Sequence, residues 1–369
     1  MSLRIIHLAT ARTWRGGEQQ VAYLAGELSR YEQVEQCIVC TRHSAMHRYC
    51  LEQKLPHVAL RKGFSFNLWF AYQLKKTCCQ FKANLLHLHD PHAHQFGVLA
   101  ADVFGNKTPM VLARRVDYPI KNNAYTLYKY NHPLIERIVC VSEAVKQVML
   151  SVVKNPNKLV RIYSGIDLER YHPQKTGGIL RSEFNLSPDE IIIGNTGALS
   201  PQKDYYTFLN TARQLLDAGV KARFFIIGQG EQEKELKRYA NEKGLSGKVI
   251  FTGFRTDIPD ILPNFDLFLS TSVAEGLGTS VAAAMACGIP VVATQSGGVT
   301  EMVVHQKTGL VAPVGNSAQL AQLVLSLLHQ PQLATQLSRA GVEHIQQFSK
   351  QNTAQHTYRL YREILSNDN

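Results

Sequence analysis

The stretch SVAEGLGTSVAAAMACGIPVVATQSGGVTE, Ser272–Glu301, sets one acid, Glu275, before Gly-Leu-Gly, a run of very small residues, the strand-like PVVAT and a second glycine pair. Glycines at Gly276, Gly278, Gly297 and Gly298 remove the Cβ atoms that keep backbone N–H groups away from a ligand. The helix that begins near Gly278 has no acid in its first turn. Its amide dipoles, with the Leu277 backbone and the hydroxyls of Thr279 and Ser280, are therefore open to an anion such as a diphosphate. A carboxylate is a poor phosphate ligand but accepts two directed hydrogen bonds from vicinal hydroxyls, so Glu275 suits a sugar. Its plain alternative is a helix-cap acid. Amides for phosphate beside one acid for hydroxyls fit a nucleotide-sugar donor.

The same design repeats outward from this stretch. ARFFIIGQGE ends a strand at Gly228, KVIFTGFR ends one at Gly253, and TGALSPQKD places Lys203 after another, where an ammonium can meet the same phosphates. Read alone, Lys203 is an ordinary surface lysine. IIIGNTGAL, the helix from Tyr205 to Ala218, FDLFLSTS and PVVAT continue an alternation of apolar strands and helices. In the first half RIIHLAT, QCIVCT, NLLHLHD, PMVLARR and RIVCVSE alternate with helices such as EQQVAYLAGELSR. Continuous apolar strands separated by helices predict parallel sheets covered on both faces, an α/β fold in two similar halves. The rhythm lapses over 163–189, read as a linker and hinge.

The chain has 369 residues, 45% hydrophobic and 19% charged, with a formal net charge of +11. That length suits two domains. No run approaches a membrane span and the start lacks a signal-peptide layout, so a cytoplasmic protein is expected. Seven cysteines show no disulfide spacing and read as reduced. The positive balance points to an anionic partner, but scattered basic residues without an aromatic-basic ladder exclude nucleic acid. KLPHVALRKGFSFNLWFAYQLKK, Lys54–Lys76, mixes Arg61, Lys62, Lys75 and Lys76 with Phe64, Phe66, Leu68, Trp69, Phe70 and Tyr72. It reads either as a core helix with snorkelling basic ends or as an anionic membrane contact on the inner face of the plasma membrane.

The order of TGALSPQKD, FFIIGQGEQEKEL, VIFTGFRTDI, STSVAEGLGTSVAAAMACGIPVVAT, SGGVTEMV and TGLVAPVG resembles the retaining glycosyltransferases of family 4, the large group 1 family. The likeness is dense from Ile191 to about Gly315 and looser through RGGEQQVAYLAGEL, HLHD, CVSEAVK and IYSGIDLERY. The resemblance implies the GT-B architecture: two Rossmann-like domains, 1–168 and 185–349, facing each other across a deep cleft. A linker over 169–184 joins them, and a last helix, about 350–366, packs back on the first. It implies retaining, metal-independent transfer from a nucleotide-diphosphate sugar, with no cofactor, to a glycan or lipid-linked acceptor in envelope or capsule polysaccharide synthesis. Carried over by position, Lys203 faces the diphosphate and Glu275 the donor sugar. The Gly278–Ser280 amides meet the phosphates, the backbone at Phe254 and Arg255 flanks the base, and Gly16 and Gly17 approach from the first domain.

Three positions depart from the pattern: Ala283 replaces a second acid, Ala198 an arginine, and Arg115 a histidine. On the acceptor or sugar side, His89, Asp90, Arg115 and Asp117 are candidates, with Asp117 read alternatively as a loop cap. HLHDPHAH tempts a metal reading. His87 and His89 alternate on a strand while His92 and His94 follow in the turn, so core or cleft-lining histidines are the expectation. No acid pair is placed for double displacement, which favours same-face attack. A GT-B epimerase and a transferase-like binding protein without turnover are the alternatives.

Overall fold

The computed structural model describes residues 2–63, 66–120, 123–173 and 178–366. Phe64, one of the aromatics of the Lys54–Lys76 segment, falls outside them. The chain divides into two compact units, 1–165 with 350–369, and 166–349. The segment 169–184 falls within the second unit and contains the helix Ile179–Glu183.

The first unit holds a parallel sheet of β1 (Leu3–Ala9), β2 (Val34–Thr41), β3 (His57–Leu60), β4 (Leu85–Leu88), β5 (Met110–Arg114), β6 (Ile135–Cys140) and β7 (Leu159–Arg161). Its order is β3-β2-β1-β4-β5-β6-β7. β1, β4 and the end of β2 are buried on both faces, which is why they read as continuous apolar runs. The helix Lys350–Ser366 covers one side: Ala354, Leu360, Tyr361 and Ile364 pack with Leu3, Ile5, Leu24, Leu28 and Leu85. Where the chain leaves β7 for the second unit it presses close to this helix. A Cβ on Gly165 would lie 2.6 Å from Lys350 Cα, and the Gln20 amide holds both the N–H and the carbonyl of Gly165 at 2.7 Å.

The Lys54–Lys76 segment is not one helix. His57–Leu60 forms the edge strand β3, and the helix begins at Leu68, capped by the Asn67 side chain. On that helix Phe70, Ala71 and Leu74 are buried, whereas Leu68 and Trp69 are more than half exposed.

The second unit holds β8 (Ile191–Thr196), β9 (Ala222–Ile227), β10 (Val249–Gly253), β11 (Leu267–Ser270), β12 (Val291–Thr294) and β13 (Leu310–Ala312), in the order β10-β9-β8-β11-β12-β13, all parallel. Both sheets run outward from their first strand in one direction and then restart on its other side. Each is a doubly wound, Rossmann-like sheet, with its ligand crevice expected where the order reverses: between β1 and β4 in one, between β8 and β11 in the other.

Candidate active site

Lys203 and Glu275 meet at the second of these crevices. Lys203 ends the short turn Pro201–Lys203 after β8, and Glu275 lies in the loop after β11. The two loops are tied together. Val273 N–H donates to the Gln202 carbonyl at 2.8 Å, and the Thr271 hydroxyl lies 3.0 and 2.9 Å from the carbonyls of Lys203 and Asp204. Lys203 Nζ forms an ion pair with Glu275 Oε1, which also accepts from Ser272 Oγ at 2.8 Å. The two side chains are 18% and 13% exposed, so the pair is shielded but reachable. The Glu275 carbonyl accepts from Gly298 N–H at 3.0 Å, which brings the Gly297-Gly298 loop against the same spot.

Three residues beyond Glu275, the helix Thr279–Ala286 starts at Gly278, whose φ of 93° lies in the left-handed region open to glycine. No side chain caps this helix and no acid lies in its first turn, so the amides there keep their positive field. Gly276 and Leu277 are buried in the approach, with Thr279 and Ser280 half-buried on the first turn. Ala283 is buried on the same helix and Ala198 is exposed in the loop after β8, so neither offers a polar group.

Gly228 has a structural reason of its own, apart from any ligand. Its φ is 146°, and a Cβ there would lie 1.9 Å from the Gly197 carbonyl oxygen; one on Gly230 would lie 2.2 Å from the Leu199 carbonyl oxygen. These glycines let the loop after β9 press against the loop that carries Lys203. Gly228→Ala is therefore expected to destabilise the second unit by about 3 kcal/mol through strain and overlap. Differential scanning calorimetry should show its transition lowered by about 5–10 °C, and an unchanged transition would exclude this packing role.

Phe254 is 61% exposed after β10. The Arg255 guanidinium is held by Glu183 at 2.6 and 3.1 Å and by Asp257 at 2.9 and 2.7 Å, and these carboxylates raise its pKa above the arginine range. Its charge is thus spent within the unit, which leaves its backbone as the part open to a ligand.

In the first unit, Gly16 and Gly17 open the helix Gly16–Leu28, with open space where a Gly17 Cβ would stand. Asp90 caps the helix Pro91–Phe104, accepting from His92 and Ala93 N–H at 2.9 Å, and it also accepts from Thr10 N–H and Oγ. This carboxylate ties β1 to β4. Arg115 donates to the His89 carbonyl at 3.2 Å and lies 3.3 Å from His89 Nδ1; burial pulls its pKa down to about 10 against the opposing pull of Glu18 and Asp90. Asp117 is half-buried in the loop after β5.

Sequence reasoning missed His7. In the parallel register of β1 and β4 it lies beside His87, and its Nδ1 is 3.0 Å from His89 Nε2, so three buried imidazoles gather between two strands. Burial lowers all three pKa values, His7 to about 4. The nearby Arg115 charge disfavours a cation among them. His92 and His94 lie on the following helix instead.

Comparison with known proteins finds two families. The model described as "Glycosyl transferases group 1" matches residues 179–344, and that described as "Glycosyltransferase Family 4" matches residues 14–170. The putative glycosyltransferase EpsD of Bacillus subtilis (strain 168) is 24% identical over 313 residues, 82% of each chain. The N,N'-diacetylbacillosaminyl-diphospho-undecaprenol alpha-1,3-N-acetylgalactosaminyltransferase of Campylobacter jejuni is 26% identical, covering 85% of this chain and 83% of its own. Among solved structures, Anabaena HepE in complex with UDP and glucose superposes with a TM-score of 0.86 at 20% identity, over 98% of this chain and 100% of the other.

Proposed function

Because the chain belongs to the group 1, family 4 glycosyltransferases of GT-B fold, we propose that it moves a sugar from a nucleotide-diphosphate sugar to a glycan or lipid-linked acceptor, with retention and without a metal. The observation that carries this reading is the pairing of Lys203 with Glu275 three residues before an uncapped helix start. Support also comes from the UDP and glucose named with HepE and from the diphospho-undecaprenol acceptor in the name of the Campylobacter relative. An acceptor of that kind fits polysaccharide synthesis at an anionic membrane face. The exposed Trp69 and Leu68 beside Arg61 and Lys62 fit peripheral contact there.

In the proposed reaction the bond from the anomeric carbon to the β-phosphate oxygen breaks as the acceptor oxygen bonds on the same face. The acceptor's proton passes to the leaving phosphate oxygen. Lys203 and the amides of Gly278 to Ser280 stabilise the charge that builds on that phosphate, and Glu275 holds the sugar hydroxyls. Lys203 and the helix-start amides supply the positive field a metal otherwise brings. Gly228 and the backbone at Phe254 and Arg255 border the nucleotide, and in the first unit His89, Arg115 and Asp117 serve the acceptor or sugar side.

Thermal-shift titration with UDP-, GDP- and ADP-sugars tests the donor reading. A true donor at about 100 times its Kd adds about 2.7 kcal/mol, a rise of about 5–10 °C for a unit of this size. Failure of all three to shift the protein would overturn it. The exposed Ala198 and buried Ala283 favour a second reading, a binding protein without turnover. Binding with no release of nucleoside diphosphate under any acceptor would select that one.

A further inference from the structure

The first unit carries a cavity of about 600 Å³ beyond the carboxyl ends of β1, β2 and β3, lined by Arg12, Arg42, Arg61, Lys62 and Trp69 among others, and linked through Thr10 to Asp90 at the β1–β4 crevice. Its size is that of a small-ligand site. Four cations face it, and no acid lies among its described lining residues. Arg12, Arg42 and Arg61 are exposed and enter no ion pair among the described residues.

Lys62 is built in rather than dangling. It is half-buried, with its ammonium 3.1 Å from the Thr10 carbonyl and 3.4 Å from the Thr10 hydroxyl, while the Arg12 guanidinium donates to the Lys62 carbonyl at 3.4 Å. Burial lowers the Lys62 pKa, opposed by Asp90. In a chain of net charge +11, four like charges around one cavity repel each other, and an anion bound there removes that repulsion.

Trp69 lines the cavity and is 63% exposed; its ring lies 5.6 Å from that of Tyr72, 40% exposed, with Leu68, 53% exposed, next to it on the same helix. Large apolar side chains held in water beside a cationic pocket call for a ligand with an anionic head and an apolar tail.

We propose that this pocket binds the phosphate or diphosphate of the acceptor, an ester whose aliphatic chain lies along the exposed Leu68, Trp69 and Tyr72. The word acceptor rests on the transferase reading; the binding chemistry stands without it. The test is calorimetric titration of the full chain with farnesyl diphosphate and with inorganic pyrophosphate, in saturating UDP so that the donor site is blocked. Farnesyl diphosphate is expected to bind at least tenfold more tightly than pyrophosphate. The double variant Arg42→Glu, Arg61→Glu should weaken both by tenfold or more, and Trp69→Ala should erase the margin while leaving pyrophosphate binding intact. Equal binding of the two probes would overturn the lipid-linked source in favour of a soluble phosphate ester. No binding, or binding indifferent to the two charge reversals, would overturn the site. UDP-glucose thermal shifts on the same variants, measured without UDP, report on the donor site separately, so a failed donor reading is distinguishable from a failed pocket.

Discussion

Glu275→Gln is expected to lower kcat for sugar transfer by about 10²–10³-fold, the range seen when one preorganised polar contact to a transition state is lost. Glutamine keeps the shape and accepts from Ser272 Oγ, which now donates to Glu275 at 2.8 Å, but it lacks the charge that Lys203 pairs with. The pair is largely shielded, so deleting one member leaves the other poorly solvated, a cost of about 1–3 kcal/mol. UDP binding should survive or tighten, since the ammonium is released toward the diphosphate. Lys203→Ala should do the opposite, weakening UDP at least tenfold as well as slowing transfer. The double variant should be little worse than the poorer single one, because both act on one unit. Isothermal titration with UDP beside initial-rate kinetics separates the two patterns. Wild-type turnover in Glu275→Gln would remove the acid from the mechanism, and release of a sugar with inverted anomeric configuration would remove retention.

What the sequence revealed and what it hid follow from burial. β8, β9, β11 and β12 are long or fully buried apolar runs, so they stand out as strands, and the loops after them carry Lys203, Gly228 and Glu275. β3 was hidden because all four of its residues are only half-buried at a sheet edge, and their polar neighbours blend into the basic and aromatic segment that follows. β7, three residues at the other edge, has the same problem. Glycine is ambiguous for a different reason. A bare backbone serves a ligand or a neighbouring chain equally well, and only the 1.9 Å approach to Gly197 shows that Gly228 also serves the fold. Side-chain charge is ambiguous likewise: Asp90 stands out in sequence as an acceptor- or sugar-side candidate, and in the fold its carboxylate caps a helix and holds Thr10. His7 was invisible because its neighbours come from a strand about 80 residues away, through a register that no local pattern records.

That register underlies the second large effect: acid should unfold the first unit before the second. His7, His87, His89 and His94 are all buried there, and desolvation depresses each pKa below the ordinary 6.5, to about 4 for His7 and about 3 for His94. The buried Nε2 of His87 has no hydrogen-bond partner among the described residues, while at His7 a hydrogen bond with the Gln36 side chain only partly offsets the desolvation. Because the folded values lie below the unfolded one, these groups favour the native state fully above pH 6.5. As pH falls from 6.5 toward 4 the unfolded chain takes up protons that the folded chain refuses, and stability drains away. At pH 5 His7 and His94, with folded values of about 4 and about 3, have each cost about 2 kcal/mol, and His87 and His89 act in the same direction, a large share of the whole stability of a domain. All four of these buried histidines lie in the first unit, so the second should outlast it. Both tryptophans, Trp14 and Trp69, lie in the first unit, so their fluorescence reports on it alone, while hydrogen exchange at β8 and β9 follows the second. Fluorescence should collapse near pH 5 while those strands stay protected, and His94→Gln should shift the collapse to lower pH by removing one of the four protons. Coincident loss of both signals, or a midpoint indifferent to His94, would show that carboxylates and not these imidazoles control acid unfolding.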